Sequence, residues 1–415
     1  MSDKITYKIE DIIIEISMGP FGSDIKTDCF TDSGVPLLDG SNITRFKLVE
    51  DKFKFVSVEK SNQLKKANAK RGDVVVTHRG TLGQISYIPE DSKYDKYLIS
   101  QSQFRVCFKD EIVNPVYMVY YFHTKEGQKK LLSFASYVGV PALAQATSNF
   151  RLLEVSLPDL SEQERIISFL DVIEQKIDLN TKINYELESL AKTIYDYWFL
   201  QFEFPDANGK PYKSSGGRMV WNNELKKEVP EGWTYIELQD ISEITAGGDR
   251  PTNISSKISP EFSIPVVSNS IENEGICGFT TSASKPEWSV TVAARGTIGY
   301  AILRTEKYVP IIRLISIIPF NKIYSKYIEE YINSISFSKN GSIQQQLPVP
   351  QISVIKILKP SELIMKKYWK IVTYTIQYSE KLKKENRELA SLRDFLLPLL
   401  MNGQVTFKDE KECAA

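Results

Sequence analysis

The sequence predicts an α+β chain: two mixed α/β modules in tandem repeat, separated by two long helices that pair antiparallel as a coiled coil. Three observations predict it. VVVTHRGTLG at 74–83 returns as VTVAARGTIG at 290–299, and NYELESL at 184–190 returns as NRELASL at 386–392. Each copy has short β-like runs punctuated by Gly, Pro, Asn and Asp. Each then turns helical after a proline, Pro158 or Pro360, with apolar residues at heptad spacing.

The repeat offset falls from 229 residues (Ile9, Asp11, Ile12 against Leu238, Asp240, Ile241) to 216 and then 202. That is one unit copied with shorter loops, far beyond a solenoid period. Within the first copy the strand-like runs are Asp73–Thr77, Gln84–Ile88 and Gln103–Phe108. Asn114-Pro115 reads as a helix start, with Asn as cap and Pro at the first helical position. A last strand-like run precedes each helix, Leu152–Leu157 or Val354–Leu358.

From Ser161 to about Phe199 there is no Gly and no Pro, and SEQE offers a capping box of Ser161 and Glu164. The heptad stripe is Ile166, Ile173, Asn180, Leu187 and Ile194, flanked by Leu170, Ile177, Ile183, Leu190 and Tyr197. The second stripe is Tyr368, Thr375, Leu382, Leu389 and Leu396, flanked by Ile371, Tyr378, Leu392 and Leu399. Asn184 and Asn386 repeat a polar residue beside the seam, where it can fix register. Pro398 is expected to end or kink the second helix near Leu397. Helices of this length would span roughly 50–60 Å. Between them, FPDANGKPYKSSGGR within 200–232 reads as a turn-rich linker.

Composition narrows the function. Fifty-two basic residues balance fifty-two acidic ones, so global charge does not drive the chain onto nucleic acid. The balance is uneven along the chain: residues 159–199 carry a net −5, while 1–158 and 361–415 carry +2 each. Residues 45–71 hold nine basic groups against three acidic ones, a patch able to neutralise phosphates or simply a solvated surface. Cys29, Cys107, Cys277 and Cys413 lie far apart with only two histidines in the chain, which excludes a CxxC-type zinc site or a disulfide framework. With no signal peptide and no long apolar run, a cytoplasmic protein with no membrane role is expected. NPVY at 114–117 lacks the second proline of an adenine-methylase motif. No GxxxxGK[ST] or GxSxG motif is present, and neither His78 and His123 nor carboxylates such as Glu90 and Asp91 form a recognisable hydrolase or nuclease set. No catalytic residue, metal or cofactor is expected.

Taken together, the chain resembles the DNA-specificity subunits of Type I restriction–modification enzymes. The carriers are Arg79–Gly83 and Arg295–Gly299, LPDLSEQERIISFLD at 157–171, YDYWFLQFEFPDANGKPYKSSGG at 195–217, VPEGW at 229–233 and SLRDFLLPLLMNGQV at 391–405. The resemblance implies target-recognition domains at 1–158 and 229–360, spacer helices at 159–199 and 361–404, a linker at 200–228 and a tail at 405–415. It implies that each head reads one half of a bipartite duplex while the helices set the unread gap. The implied partners are double-stranded DNA, two methylating subunits docked on the helices, and motor-nuclease subunits joined through the complex. The second helix opens PSELIMKKYW, without the EQER of the first, so its methylase contact is expected to differ.

Candidate DNA-contacting residues follow from side-chain chemistry: Arg for guanine, Asn or Gln for adenine, Lys and Arg for phosphates. In the first head they are His78, Arg79, Thr81, the run Ser100, Gln101, Ser102, Gln103, then Gln145 and Asn149, with Arg45, Lys65 and Lys66 for phosphates. In the second they are Arg250, Asn269, Arg295, Thr297, Arg313 and the run Gln344, Gln345, Gln346. The RGTxG turn also has a purely structural reading, because it recurs in two heads whose targets should differ. Two other functions stay open: a two-headed protein-interaction scaffold, and the specificity subunit of a related restriction class whose partner fuses methylase and nuclease.

Overall fold

The computed structural model describes residues 4–337 and 346–407. It contains two compact units, one formed by the chain up to Asn180 and from Lys384 onward, the other by Thr181–Lys383. Both long helices pass from one unit to the other, at Asn180–Thr181 and at Lys383–Lys384.

In the first unit a four-stranded antiparallel sheet runs Ile13–Met18, Gln103–Phe108, Val74–Thr77, Ile85–Tyr87 in spatial order. Strand alternation sorts its side chains. Phe104, Val106 and Phe108 join Val74, Val76 and Ile85 in a core closed by the helix Pro115–His123. Val75 faces the other way, into a five-stranded sheet whose centre is Leu38, Tyr97 and Leu98. Asn114 caps the Pro115 helix by accepting from the Val116 N–H at 3.0 Å, so NPVY is a helix start.

The second unit repeats this strand order: Ser242–Ala246, Ile315–Pro319, Ser289–Val292, Ala301–Arg304. In each copy of the repeat the entering strand pairs with the last strand before the helix, Ile5–Lys8 with Glu154–Leu157 and, after the hairpin of the connector, Thr234–Glu237 with Lys356–Lys359. A parallel pair also recurs, Val35–Leu38 with Lys96–Ile99 and Ile264–Val267 with Val309–Pro310. The duplication read from short motifs therefore extends to topology. The glycines of the repeated turn have positive φ in both copies, 90° and 87° at Gly80 and Gly83, 70° and 87° at Gly296 and Gly299. A side chain is strained there, which accounts for their recurrence on backbone grounds.

The first long helix spans Leu160–Tyr195 and continues through a π-helical turn, Asp196–Leu200. Its cap is Asp159, which accepts from the Glu162 N–H at 2.9 Å, and the expected Ser161–Glu164 box is not the one formed. Gln163 of the same motif is fully buried and works as a clamp. Its Oε1 accepts from the Asn114 N–H at 2.9 Å, and its Nε2 donates to the carbonyls of Ile112 and Pro158.

The second long helix spans Glu362–Met401. Pro398 removes one helical donor but does not stop the helix, which runs to Met401 and closes at Gly403, φ 70°. Within the first unit the two helices run antiparallel, with Glu174 bound to Arg393 at 2.6 Å and Lys176 to Glu385 at 3.5 Å. Asn180, fully buried, donates to the Asn386 and Glu385 side chains at 2.9 Å each. The amide that meets Asn386 is thus Asn180 of the heptad stripe, while Asn184, the repeat equivalent of Asn386, is buried one turn further on. Within the second unit the direction is the same, with Glu188 near Lys383 at 3.8 Å and Trp198 and Phe199 packed on Tyr368.

Ile166, Ile173, Tyr368 and Leu382 are buried as expected, but Leu190, Tyr197, Ile371, Tyr378 and Leu392 lie on the outside. A straight helix drifts by about 20° per heptad against a strict seven-residue repeat. Later flanking positions therefore rotate out of the stripe, whereas Ile371, the first of its flank, lies outside from the start. The turn-rich stretch after the first helix is packed: Phe204 stacks between Tyr212 and Trp233 at 4.6 and 5.1 Å, and Met219–Asn222 pairs with Lys227–Pro230.

Two outcomes are expected. Gln163→Leu leaves a buried N–H and two carbonyls without this partner, so it should destabilise the first unit by about 2–3 kcal/mol. A shift of its chemical-denaturation midpoint at unchanged slope is the measurement. Burial, with nearby Arg393, lowers the His123 pKa although its Nε2–H donates to the Ile85 carbonyl at 2.9 Å, and burial likewise lowers His78. Their folded-state pKa values lie below the unfolded 6.5, so the unfolded chain takes up protons first as pH falls. The stability they contribute is full above about pH 6.5 and is lost as pH falls through the folded values. Replacing both by Gln should flatten that acid-side part of the stability–pH curve relative to the parent.

Candidate nucleic-acid interface

In the first head the end of Ile13–Met18, the end of Val74–Thr77 and the start of Gln103–Phe108 meet at one edge of the sheet, because the strands alternate in direction. Backbone hydrogen bonds lock the loops there: Gly19 N–H to the Gln103 carbonyl at 2.8 Å and His78 N–H to the Ser102 carbonyl at 2.9 Å. His78 adds a ring bond, its Nε2 donating to the Gln101 carbonyl at 3.1 Å. A two-stranded ribbon, Ala135–Ser136 paired with Ala142–Leu143, closes the other side. Leu143 N–H donates to the His78 carbonyl at 2.8 Å, and Gly80 N–H to the Pro141 carbonyl at 2.9 Å.

The result gathers several of the residues expected to touch DNA. Arg79, Thr81 and Gln101 are exposed on these loops. The Arg79 guanidinium has no ion-pair or hydrogen-bond partner among the described residues. Gln145 is exposed at φ 43°, at the start of the short helix Ala146–Arg151. Asn149 spends its amide on the Ala144 carbonyl at 2.6 Å and so fixes that turn.

Gln103 is a correction. It is fully buried, accepting from Ser100 N–H and donating to the Asp39 carbonyl at 3.0 Å each, so it shapes the loop and does not face DNA. The strand alternation that exposes Gln101 turns Gln103 inward. The basic stretch is largely exposed, but several of its cations have partners within the first unit. Arg45 lies 3.5 Å from Asp178 of the first long helix, Arg71 binds Ser92 and Asp95, and Lys54 sits over the Phe30 ring. Lys65 and Lys66 remain exposed, on a turn whose Lys66 carbonyl accepts from buried Arg105.

The second head builds the equivalent edge differently. Gly247 N–H donates to the Leu314 carbonyl at 2.8 Å and Leu347 N–H to the Ala294 carbonyl at 2.9 Å. Asn269 is consumed inside it, donating to the Ile312 carbonyl at 2.9 Å and accepting from Ala294 N–H at 2.8 Å, so it positions loops. Arg295 is held by Gln346, whose Oε1 accepts from Nη2 at 2.8 Å and from Nε at 3.3 Å. Gln344 and Gln345 lie outside the described residues. Arg250, Thr297 and Arg313 are exposed, and Ile312 and Arg313 are both left-handed, at φ 54° and 59°. Two adjacent non-glycine residues held in that region cost of order 1–3 kcal/mol each, a strain that clusters at functional loops.

One part of this edge is invisible in the sequence reading. The tip of the ribbon, Tyr137 to Val140, is apolar and exposed beside Arg79, and Phe21 is exposed on the loop next to Gln101. Only the Gly139-Val140-Pro141 turn hints at a hairpin, and its apolar flanks read as buried strand. Elsewhere, no helix among the described residues is long and apolar enough to cross a membrane.

Comparison with known proteins gives this edge its context. A family model described as the Type I restriction modification DNA specificity domain matches residues 2–189 and 230–390, taking in both copies of the repeat. The Type I restriction enzyme MjaIX specificity subunit of Methanocaldococcus jannaschii is 23% identical over 82% of this chain and 79% of its own. The HindI specificity subunit of Haemophilus influenzae is 23% identical over 85% of this chain and 92% of its own. The crystal structure of a Type I restriction-modification S subunit from M. genitalium superposes with a TM-score of 0.58 at 15% identity, over 98% of this chain and 97% of that one, which shows a shared fold. With the family model spanning well over half of its length, this chain belongs to the Type I restriction–modification DNA-specificity family and is a non-catalytic subunit that supplies DNA sequence specificity.

Proposed function

We propose that the chain reads a bipartite duplex in the cytoplasm, each head reading one half-site, while the long helices set the gap and carry two methylating subunits. The observation that carries this reading is the matching loop edge. In both heads the same strand order presents an RGT turn with an exposed arginine at the same end of the sheet. Phosphate contacts fix a protein on DNA and base-edge contacts specify it. Within the second unit the outward-facing residues Leu190, Tyr197, Ile371 and Tyr378 give the helices apolar positions for protein partners. The related class with a fused methylase–nuclease partner differs only in what docks there, and a neighbouring methyltransferase reading frame separates the two.

Mapping methylated adenines in the host genome tests the reading, which requires a two-part motif; a single uninterrupted site would overturn it. Exchanging residues 1–158 for another head should change one half-site only. The two helices pair within each unit, so lengthening one alone would break that pairing. Seven residues added between Asn180 and Thr181, with seven more between Lys383 and Lys384, should lengthen the gap by about three base pairs. Both half-sites should stay unchanged; a changed half-site would sink the ruler. Arg79→Ala should weaken duplex binding about equally on target and non-target sequences and reduce the salt slope by about one. A loss confined to the target would make Arg79 a base reader instead.

A further inference from the structure

We infer that the ribbon tip of the first head is an apolar reading element that enters the major groove and contacts thymine methyl groups. This rests on the DNA-reading function proposed above and assigns that head a mode of readout. Tyr137 is 68% exposed, Val138 91% and Val140 56%, three apolar residues in the four-residue stretch 137–140 of a hairpin tip, where polar turn residues are the norm. Among the described residues nothing in the first head covers them, and a side chain on Gly139, at φ 76°, would meet no atom within 4 Å.

The ribbon is presented rigidly. Ala135 pairs with Leu143 and Ser136 with Ala142, and Ala142 in turn bridges to Arg79. The hydrogen bonds from Leu143 to His78 and from Gly80 to Pro141 make the ribbon an extension of the RGT turn. The base of the ribbon and the Arg79 backbone are therefore joined, which places the tip beside the Arg79 side chain. A two-stranded ribbon fits the major groove of a B-form duplex. There the only apolar group on a base edge is the thymine methyl, and phosphates lie within reach of a flanking arginine. Apolar residues beside an uncompensated cation match that surface. A docking site for a protein partner would match the apolar residues alone.

The second head differs at the corresponding turn, where Arg295 is bound to Gln346 and so is not free in the same way. Thymine-methyl readout is accordingly assigned to the first head only.

The test uses the full chain assembled with its methylating partner and a duplex carrying the mapped bipartite target. Thymines of the half-site that follows residues 1–158 in head exchange are replaced one at a time by deoxyuridine, which removes only the methyl. At least one replacement should weaken binding about fourfold, the value of one buried methyl. Tyr137→Ser combined with Val138→Ser alters only exposed side chains. It should weaken binding to the thymine duplex and abolish its difference from the deoxyuridine duplex, while assembly with the methylase is kept. The inference is overturned if no replacement matters, if the half-site holds only G·C pairs, or if the double variant keeps its discrimination. Loss of methylase assembly with DNA discrimination intact would assign the tip to a protein partner. Failure of the parent complex to bind any bipartite duplex would instead remove the function proposed above.

Discussion

The pairing of each head's first strand with its last governs the architecture. Ile5–Lys8 lies antiparallel to Glu154–Leu157, and Thr234–Glu237 to Lys356–Lys359. Matched backbone bonds extend each pair, from Ile9 N–H to the Leu153 carbonyl and from Leu238 N–H to the Ile355 carbonyl, both 2.9 Å. This closure brings together residues some 150 or 120 positions apart, a large loop-closure cost that only a packed interior repays. Once it is made, chain entrance and helix start sit side by side. Everything between them is free to fold as a sheet whose opposite edge carries the loops.

Much of this was legible in the residues. Glycines that recur in RGTxG do so because the turn needs positive φ, and Asn114-Pro115 starts a helix because the cap and the missing donor both suit that place. What the pattern misjudged has a common cause. Polar side chains near a loop have two directions available, and a linear string does not show which one is taken. Gln101 faces out while Gln103, two residues on, faces in; Asn269 and Gln346 are consumed by neighbours distant in sequence. The helix stripes failed at their margins for a related reason. Heptad counting treats the helix as a strict repeat, whereas the buried face follows the real helical pitch and the heads that pack on it.

The two heads solve one problem with different chemistry. Arg79 stands unpaired among the described residues next to an apolar ribbon, while Arg295 is cradled by a glutamine carbonyl at a turn of the same backbone shape. The shared motif is thus a backbone device, and its arginine takes a separate part in each copy. The polar seam makes a parallel point: the buried amide of Asn180 finds Asn386 and Glu385, so a slide of the helices past one another would strand it.

The second glycine of each turn carries a wider consequence. Besides its positive φ, a side chain at Gly83 would run into Gln128, and one at Gly299 into the Phe337 ring. Each turn is therefore pinned from below by the body of its head, while the residues on its solvent side bear no packing load. Mutational freedom and structural necessity fall on opposite sides of the same few residues. Exposed positions of these turns can therefore vary at little cost in folding free energy, whereas the second glycine of each cannot vary without moving the body of the head.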